Sequence, residues 1–242
     1  MKSILVLIPT YNESESIRLL LQRIEKIRRE NKDTLKIDIL VIDDNSPDKT
    51  GQIAQSLNLS GLTVLSLNSK NGIGPAYIAG YQFGLTKKYD FFVQMDADLS
   101  HQPEEMIGLV NNCDTQSMVI GSRWIKGGSV VNWPKRRRLI SRFGTAYAAR
   151  LLGLSYRDLT SGYRVLPRQL VAEIDFATVK SHGYGFQIEM ALQAIKLGYK
   201  IREVPITFIE RENGKSKMSF AIVIEAWKMV NLEGIKRKIK RR

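Results

Sequence analysis

Cysteine is almost missing from this 242-residue chain: Cys113 stands alone, so neither an internal disulfide nor a multi-cysteine metal site can form. That suits a reducing compartment, and Cys113 reads as a small buried apolar side chain. Histidine is nearly as scarce. His101 and His182 have no partner at metal-ligand spacing, which leaves them loop or structural roles. Long apolar runs are missing too: Ile4 to Ile8 is closed at once by Pro9, and Met218 to Val230 is interrupted by Glu225 and Lys228. The first is too short for a signal-peptide core and neither can span a bilayer, so a cytoplasmic location is expected. No repeat, low-complexity linker or Pro/Gly-rich hinge divides the chain, so one α/β domain with a small appendage is expected.

What is abundant is positive charge. Thirty-seven Lys plus Arg against twenty-four Asp plus Glu give a net +13, which favours an anionic partner: nucleic acid, a phosphorylated substrate or an acidic membrane surface. Hydrophobic residues at 43% and charged residues at 25% are ordinary for a globular protein, which excludes a fibre or a disordered chain.

Short β-branched runs alternate with amphipathic stretches: "ILVLI" from Ile4, "IDILVID" from Ile37, "LTVLSL" from Leu62, "DFFVQMD" from Asp90 and "SMVIGS" from Ser117. Between the first two, Ile17, Leu20, Leu21, Ile24 and Ile27 share one helical face. This order predicts a mostly parallel sheet with helices on both faces. Beyond Arg137 the pattern is more helical, with a helix from about Phe186 to Leu197 and a late strand, "KIREVPITFI".

Ligands of such sheets sit outside the carboxyl ends of the strands, and the polar clusters fall there: "PTYNE", "DDNSPDKTG", "NSKNGIGPAY" and "DADLSH". Asp96 and Asp98 are two apart, so in extended chain they point the same way and can converge on one ion. Hard oxygen ligands suit Mg²⁺ or Mn²⁺, which bridge to substrate phosphates. Two negative charges about 4 Å apart repel by roughly 4 kcal/mol at an effective dielectric of about 20, so carboxylates facing a diphosphate need a cation between. Asp43 and Asp44 end another strand, where a carboxylate accepts from a nucleobase or ribose while "NSPDKTG" forms a turn. "NGIGPAY" lacks the third glycine of a dinucleotide fingerprint. Arg123 follows a strand, and Arg137 and Ser141 lie four apart near a helix start, a site for a phosphate; Lys135, Arg136 and Arg138 read equally as a solvated basic face.

Taken in order, "IPTYNE", "DDNSPDKTG", "KNGIGPAYIAG", "MDADLSH", "GSRW", "RRRLISR", "DLTSGYR", "GYGFQIEM" and "EVPITFIERENGKSKMS" resemble glycosyltransferase family 2, and within it the dolichyl- or polyprenyl-phosphate mannosyltransferases. The resemblance implies a GT-A fold over residues 1–219, GDP-mannose as donor and a dolichyl or polyprenyl phosphate as acceptor, and the residues themselves read as a carboxyl-terminal amphipathic helix and basic tail over 220–242. It places Pro9, Tyr11, Glu13, Ile42 and Asp44 in the nucleoside pocket, and Asp96, Ala97 and Asp98 at the metal and diphosphate, with Ser100 as a third ligand position where some relatives have Gln. It gives Arg123, Arg211 and Lys217 to phosphates, and Arg137 and Ser141 to the acceptor phosphate; Asp98, Arg123, Arg137 and Ser141 form the catalytic set. Tyr163 stands where Phe is frequent, and Ile73 and Pro75 where Leu and Thr or Ala are usual.

The implied subtype lacks carboxyl-terminal membrane helices, so it works peripherally at the cytoplasmic face of a membrane, with a small membrane-anchoring subunit as a candidate partner and no nucleic acid. "KMSFAIVIEAWKMV" followed by "KRKIKRR" reads as an interfacial helix with a polybasic tail or as a helix packed on the domain. Other readings are a UDP-sugar-dependent hexosyltransferase, a sugar-phosphate nucleotidyltransferase, which would release pyrophosphate, and a basic nucleic-acid-binding protein, which would leave the carboxylate-bearing strand ends unexplained.

Overall fold

Apolar residues at successive positions of one strand need cover on both sides, and the chain supplies it. The computed structural model describes residues 1–181, 183–210, 227 and 230–235. Strand β1 (Lys2–Thr10) shows the rule: Ile4, Val6 and Ile8 join one core, and Leu5 and Leu7 join the other. The first core is covered by α1 (Ile17–Glu30), α2 (Thr50–Ser56) and α4 (Met106–Asn111), and the second by α3 (Ile73–Leu85), α5 (Lys135–Leu152), α6 (Arg168–Glu173) and α7 (Tyr184–Lys196). The predicted face of α1 is buried at all five positions, Ile17, Leu20, Leu21, Ile24 and Ile27. Each such side chain contributes roughly 1.5–3 kcal/mol when fully removed from water.

The main sheet has seven strands in the order β3 (Leu62–Ser66), β2 (Leu35–Asp43), β1, β4 (Phe91–Gln94), β7 (Arg164–Pro167), β5 (Ser117–Ser122) and β8 (Lys200–Pro205). Strand β7 runs against both neighbours, whereas the other pairings are parallel. The expected mostly parallel sheet, covered on both faces, is therefore what forms. A small second sheet pairs β6 (Ser129–Val131) with β9 (Thr207–Ile209). On α3, Gly84 permits close helix–sheet contact, because a methyl there would come 2.2 Å from Phe92 Cε1 and 2.9 Å from Leu5 Cδ2.

Four local expectations are corrected. The strand expected to reach Asp96 stops at Gln94, so Asp96 follows the strand and Asp98 lies in the bend over 97–99. The glycine-containing segment expected as loop is helical from Ile73, with Gly72 at φ 93° as its cap. The late strand divides at Ile206, whose N–H donates to Ser122 O (3.1 Å) as the chain passes from one sheet to the other. Strand β7 lies in the stretch read as helical: it has only four residues, all buried, and one of them is Arg164.

Candidate active site

Strand β1 sits where the order reverses, with β2 and β3 on one side and β4 on the other, so a crevice opens beyond its carboxyl end. Thr10 and Asp43 are register partners there; Thr10 Oγ1 donates to Asp43 Oδ1 (3.2 Å), and the Asp44 N–H donates to Thr10 O (2.9 Å). The buried Asp44 carboxylate accepts the backbone N–H groups of Asn71 (2.9 Å) and Gly72 (2.8 Å), which draws the loop before α3 against the strand end. That loop's Lys70 places Nζ 3.8 Å from the centre of the half-buried Tyr11 ring. Glu13 ties the next turn down: its N–H donates to Thr50 Oγ1 (2.9 Å), and its carboxylate accepts from Ser16 Oγ (3.2 Å). Pro9 is half-buried beside this edge. Ile42 is not on the crevice wall by its side chain, which is fully buried against Gly80 of α3.

Beyond β4 the chain bends through Asp96, Ala97 and Asp98, and Leu99 adopts a left-handed φ of 63°. The turn is closed by Asp98 Oδ1, which accepts the Ser100 N–H (3.1 Å). Ala97 and Ser100 are buried, whereas Asp96 and Asp98 are half-buried. Behind them the buried His101 accepts the Asp96 N–H at Nδ1 (3.1 Å), stacks on Tyr163 with ring centres 4.9 Å apart and meets Phe208 edge-on. Burial pushes the His101 pKa down, although Asp96 and Asp98 pull it up, so the ring is neutral with its proton on Nε2. Gly162 faces the same pair: a methyl there would come 3.3 Å from Asp96 Oδ1 and 3.5 Å from His101 Cε1.

This donor set suits a hard divalent ion. No cluster of three His, Cys, Asp or Glu is present among the described residues, and Asp96 and Asp98 are the carboxylates this strand end would offer such an ion. Mg²⁺ and Mn²⁺ accept such a clip because water and substrate phosphate oxygens complete their shell.

The wall beyond β5 is built on Arg123. Its Nε and Nη2 each donate to Asp158 at 2.7 Å, its backbone N–H to the same carboxylate at 3.0 Å, and Nη2 also to Thr160 Oγ1 at 3.1 Å. The guanidinium lies among Trp124, Trp133 and Phe208, 5.3–5.6 Å from each ring centre. Arg137, on the first turn of α5, lies 4.4 Å from the Trp133 ring centre and is paired with Glu210; Ser141 follows one turn later on the same half-buried flank. Arg164 is fully buried and donates to the carbonyls of Leu159, Ser161 and Gln187, which holds the segment carrying Asp158 and Gly162 to α7. Burial lowers its pKa to about 10, so it remains charged at neutral pH.

Arg211, Lys217 and His182 lie outside the described residues, as does most of segment 220–242. His101, Asp158, Gly162, Trp133 and Glu210 received no site role from sequence. The signal available was "DLTSGYR", which carries Asp158, Gly162 and Arg164, but which strand ends those residues serve depends on the antiparallel β7.

The family model described as Glycosyl transferase family 2 matches residues 5–175. The undecaprenyl-phosphate mannosyltransferase of Micrococcus luteus is 46% identical over 225 residues, covering 92% of this chain and 90% of that protein. The polyprenol monophosphomannose synthase of Mycolicibacterium smegmatis is 43% identical over 241 residues, covering 98% of this chain and 89% of that protein. In fold, the chain is similar to glucosyl-3-phosphoglycerate synthase from Mycobacterium tuberculosis, solved with Mn²⁺, uridine diphosphate and phosphoglyceric acid, at a TM-score of 0.70 and 20% identity over 96% of this chain and 78% of that one. The architecture is GT-A-like, and the chain belongs to glycosyl transferase family 2 as an enzyme of the hexosyltransferase class.

Proposed function

We propose that this enzyme moves mannose from GDP-mannose to a polyprenyl phosphate at the cytoplasmic surface of a membrane, with Mg²⁺ or Mn²⁺ at Asp96 and Asp98. The observation that carries the reading is the carboxylate pair at the switch-point crevice, braced by a neutral His101 and given room by Gly162. The names of two relatives that match over nearly the whole chain support mannose and a prenyl phosphate, and the Mn²⁺-bound fold neighbour supports a divalent ion.

The residues divide the work. Asp44, Tyr11 and the loop at Lys70 hold the nucleoside side of the crevice. The acceptor phosphate is anionic near neutral pH and needs little general-base help. Arg137 and Ser141 orient it so that one phosphate oxygen attacks the anomeric carbon while the bond to the diphosphate oxygen breaks, its electron pair leaving with GDP. Direct displacement inverts the anomeric centre. The bound ion supplies charge neutralisation for the departing diphosphate. Arg123, the expected phosphate contact, is paired with Asp158 and stands in the aromatic wall beside Arg137. Arg211 and Lys217 would add charge on the donor side. No helix of the described residues is long and apolar enough to cross a membrane.

The test offers radiolabelled GDP-mannose, UDP-glucose or UDP-N-acetylglucosamine with polyprenyl phosphate and Mn²⁺, and follows label into the organic phase. Label should enter from GDP-mannose, and Asp98→Ala should abolish it while the circular dichroism spectrum is retained. Label entering from a UDP-sugar instead, or retention at the anomeric carbon, refutes the reading.

A further inference from the structure

The face of the main sheet that packs on α3 and α7 changes character at the end of β4. Phe92 belongs to the apolar core, but Gln94, next on the same face, is fully buried with both its amide oxygen and its amide nitrogen lacking a hydrogen-bond partner among the described residues. Its register partner on β7 is Arg164, whose three carbonyl acceptors belong to Leu159, Ser161 and Gln187. The Tyr77 and Tyr81 hydroxyls of α3 and the side-chain amide of Gln187 on α7 are buried as well, and none has a partner among the described residues. Both tyrosines lie within electrostatic reach of the guanidinium, and the Tyr81 hydroxyl faces the Gln94 amide.

Taking polar atoms out of water without giving them hydrogen bonds destabilises a fold, and apolar side chains at these positions would not carry that cost. Unsatisfied groups of this kind call for a reason other than packing. Their place supplies one. The β4–β7 register ends at Gln94 opposite Arg164, and two residues further along the same antiparallel register Asp96 stands opposite Gly162. The chains remain together there, since a methyl on Gly162 would come 3.3 Å from Asp96 Oδ1. Tyr77 registers the same proximity: its pKa is raised first by burial and then by the charge of Asp96, with Tyr81 and Asp98 adding to the effect.

We infer that Gln94 is a positioning residue for the ion-binding turn: with Arg164 it forms the last cross-strand pair of β4 and β7, and its amide dipole beside the guanidinium sets the distance at which Asp96 meets Gly162. Arg164 is the fixed member, because its bonds to three carbonyls tie it to the segment before Gly162 and to α7. Gln94 is the adjustable member, on the strand that leads to Asp96. A carboxylate that holds a metal ion needs groups behind it to fix its orientation, and small displacements there change affinity and rate. The inference deepens the proposed function and rests on it for the ion and the nucleotide.

The test compares the full-length wild type with Gln94→Met, which is unbranched and of similar size but apolar, and with Gln94→Glu, which keeps an acceptor oxygen for the guanidinium. Thermal melts, calorimetric titration with GDP and in parallel with UDP in the presence of Mn²⁺, and steady-state transfer are measured on each. Gln94→Met should melt at or above the wild-type temperature, because two partnerless polar atoms are gone. Its Mn²⁺-dependent nucleotide affinity should nevertheless fall by about tenfold or more, and kcat by a similar factor, with the KM for prenyl phosphate unchanged. Gln94→Glu should bring affinity and kcat back to within about threefold of wild type. Wild-type affinity and kcat in Gln94→Met overturn the inference. So does a Gln94→Met protein that melts well below wild type, which would make Gln94 a packing residue, and so does failure of Gln94→Glu to restore binding. A wild type that binds nucleotide with Mn²⁺ in a Gln94-dependent way but transfers sugar to no acceptor sinks the transferase reading and leaves the inference standing; a wild type without metal-dependent nucleotide binding overturns both.

Discussion

Arg123 and Asp158 form a two-pronged ion pair inside the protein: both contacts are 2.7 Å, Asp158 is fully buried and Arg123 is 7% exposed. Thr160 and the Arg123 backbone N–H add further hydrogen bonds to the two groups. The pair joins the end of β5 to the segment that carries Gly162 to Asp96, so it serves as a brace of the site as much as a charge within it.

Removing one member leaves the other charged and buried. Asp158→Ala should lower stability by roughly 3–5 kcal/mol in urea denaturation, whereas a surface carboxylate such as Glu30 should cost almost nothing. A loss below about 1 kcal/mol at Asp158 would show that water or another group takes over the guanidinium.

Gly162→Ala tests the fit around Asp96. A methyl 3.3 Å from Asp96 Oδ1 must displace that carboxylate or the His101 ring by a few tenths of an ångström. Displacements of this kind cost roughly tenfold to a hundredfold in rate, so kcat/KM should fall while the melting temperature changes little. Wild-type kinetics would mean that the loop gives way freely.

Glu210 occupies Arg137, the residue proposed to receive the acceptor phosphate. Glu210→Gln should lower the KM for prenyl phosphate by about fivefold, the equivalent of about 1 kcal/mol for a half-exposed pair, and Arg137→Ala should raise it. Equal KM values in wild type and Glu210→Gln would show that the carboxylate does not compete with phosphate.

Glu25 on α1 carries a pH dependence. Its hydrogen bond from Arg28 holds the carboxyl below its ordinary value of 4.5 against the cost of burial, with Arg29 adding to the effect. A depressed folded pKa gives stability that is full above the ordinary value and is lost as pH falls through the folded one. Glu25→Gln should therefore cost about 1 kcal/mol at neutral pH, and the gap from wild type should narrow progressively below about pH 4.5 in thermal melts. A gap independent of pH would remove the ion pair from the explanation.

Cys113 is 3% exposed, its thiol donates to Ser117 O (3.1 Å), and burial raises its pKa to about 12. Iodoacetamide at neutral pH should leave it unmodified in the folded protein and alkylate it after denaturation, as read by mass spectrometry. Rapid modification of the native chain would reveal frequent opening between α4 and β5.

The amino acids alone determined which segments form the parallel strands, which face of α1 is buried, and that carboxylates cluster at strand ends. These are local properties: periodicity and β-branching act within one element, and loops at the carboxyl edge of a parallel sheet share one side by topology. Asp96, Asp98, Asp44, Arg137 and Ser141 could be picked out because each stands where an apolar run stops or a helix begins. Tertiary structure decided the rest. A four-residue β7 with a buried arginine has no period to read, yet its antiparallel placement brings Gly162 to Asp96 and Asp158 to Arg123. The exposed stripe of α5 was equally hidden, since Leu139, Ile140 and Phe143 look like core residues until the opposite side of the helix is seen to do the packing. A hydrophobic side chain declares its preference for leaving water, but only the assembled fold decides whether the domain's own core receives it.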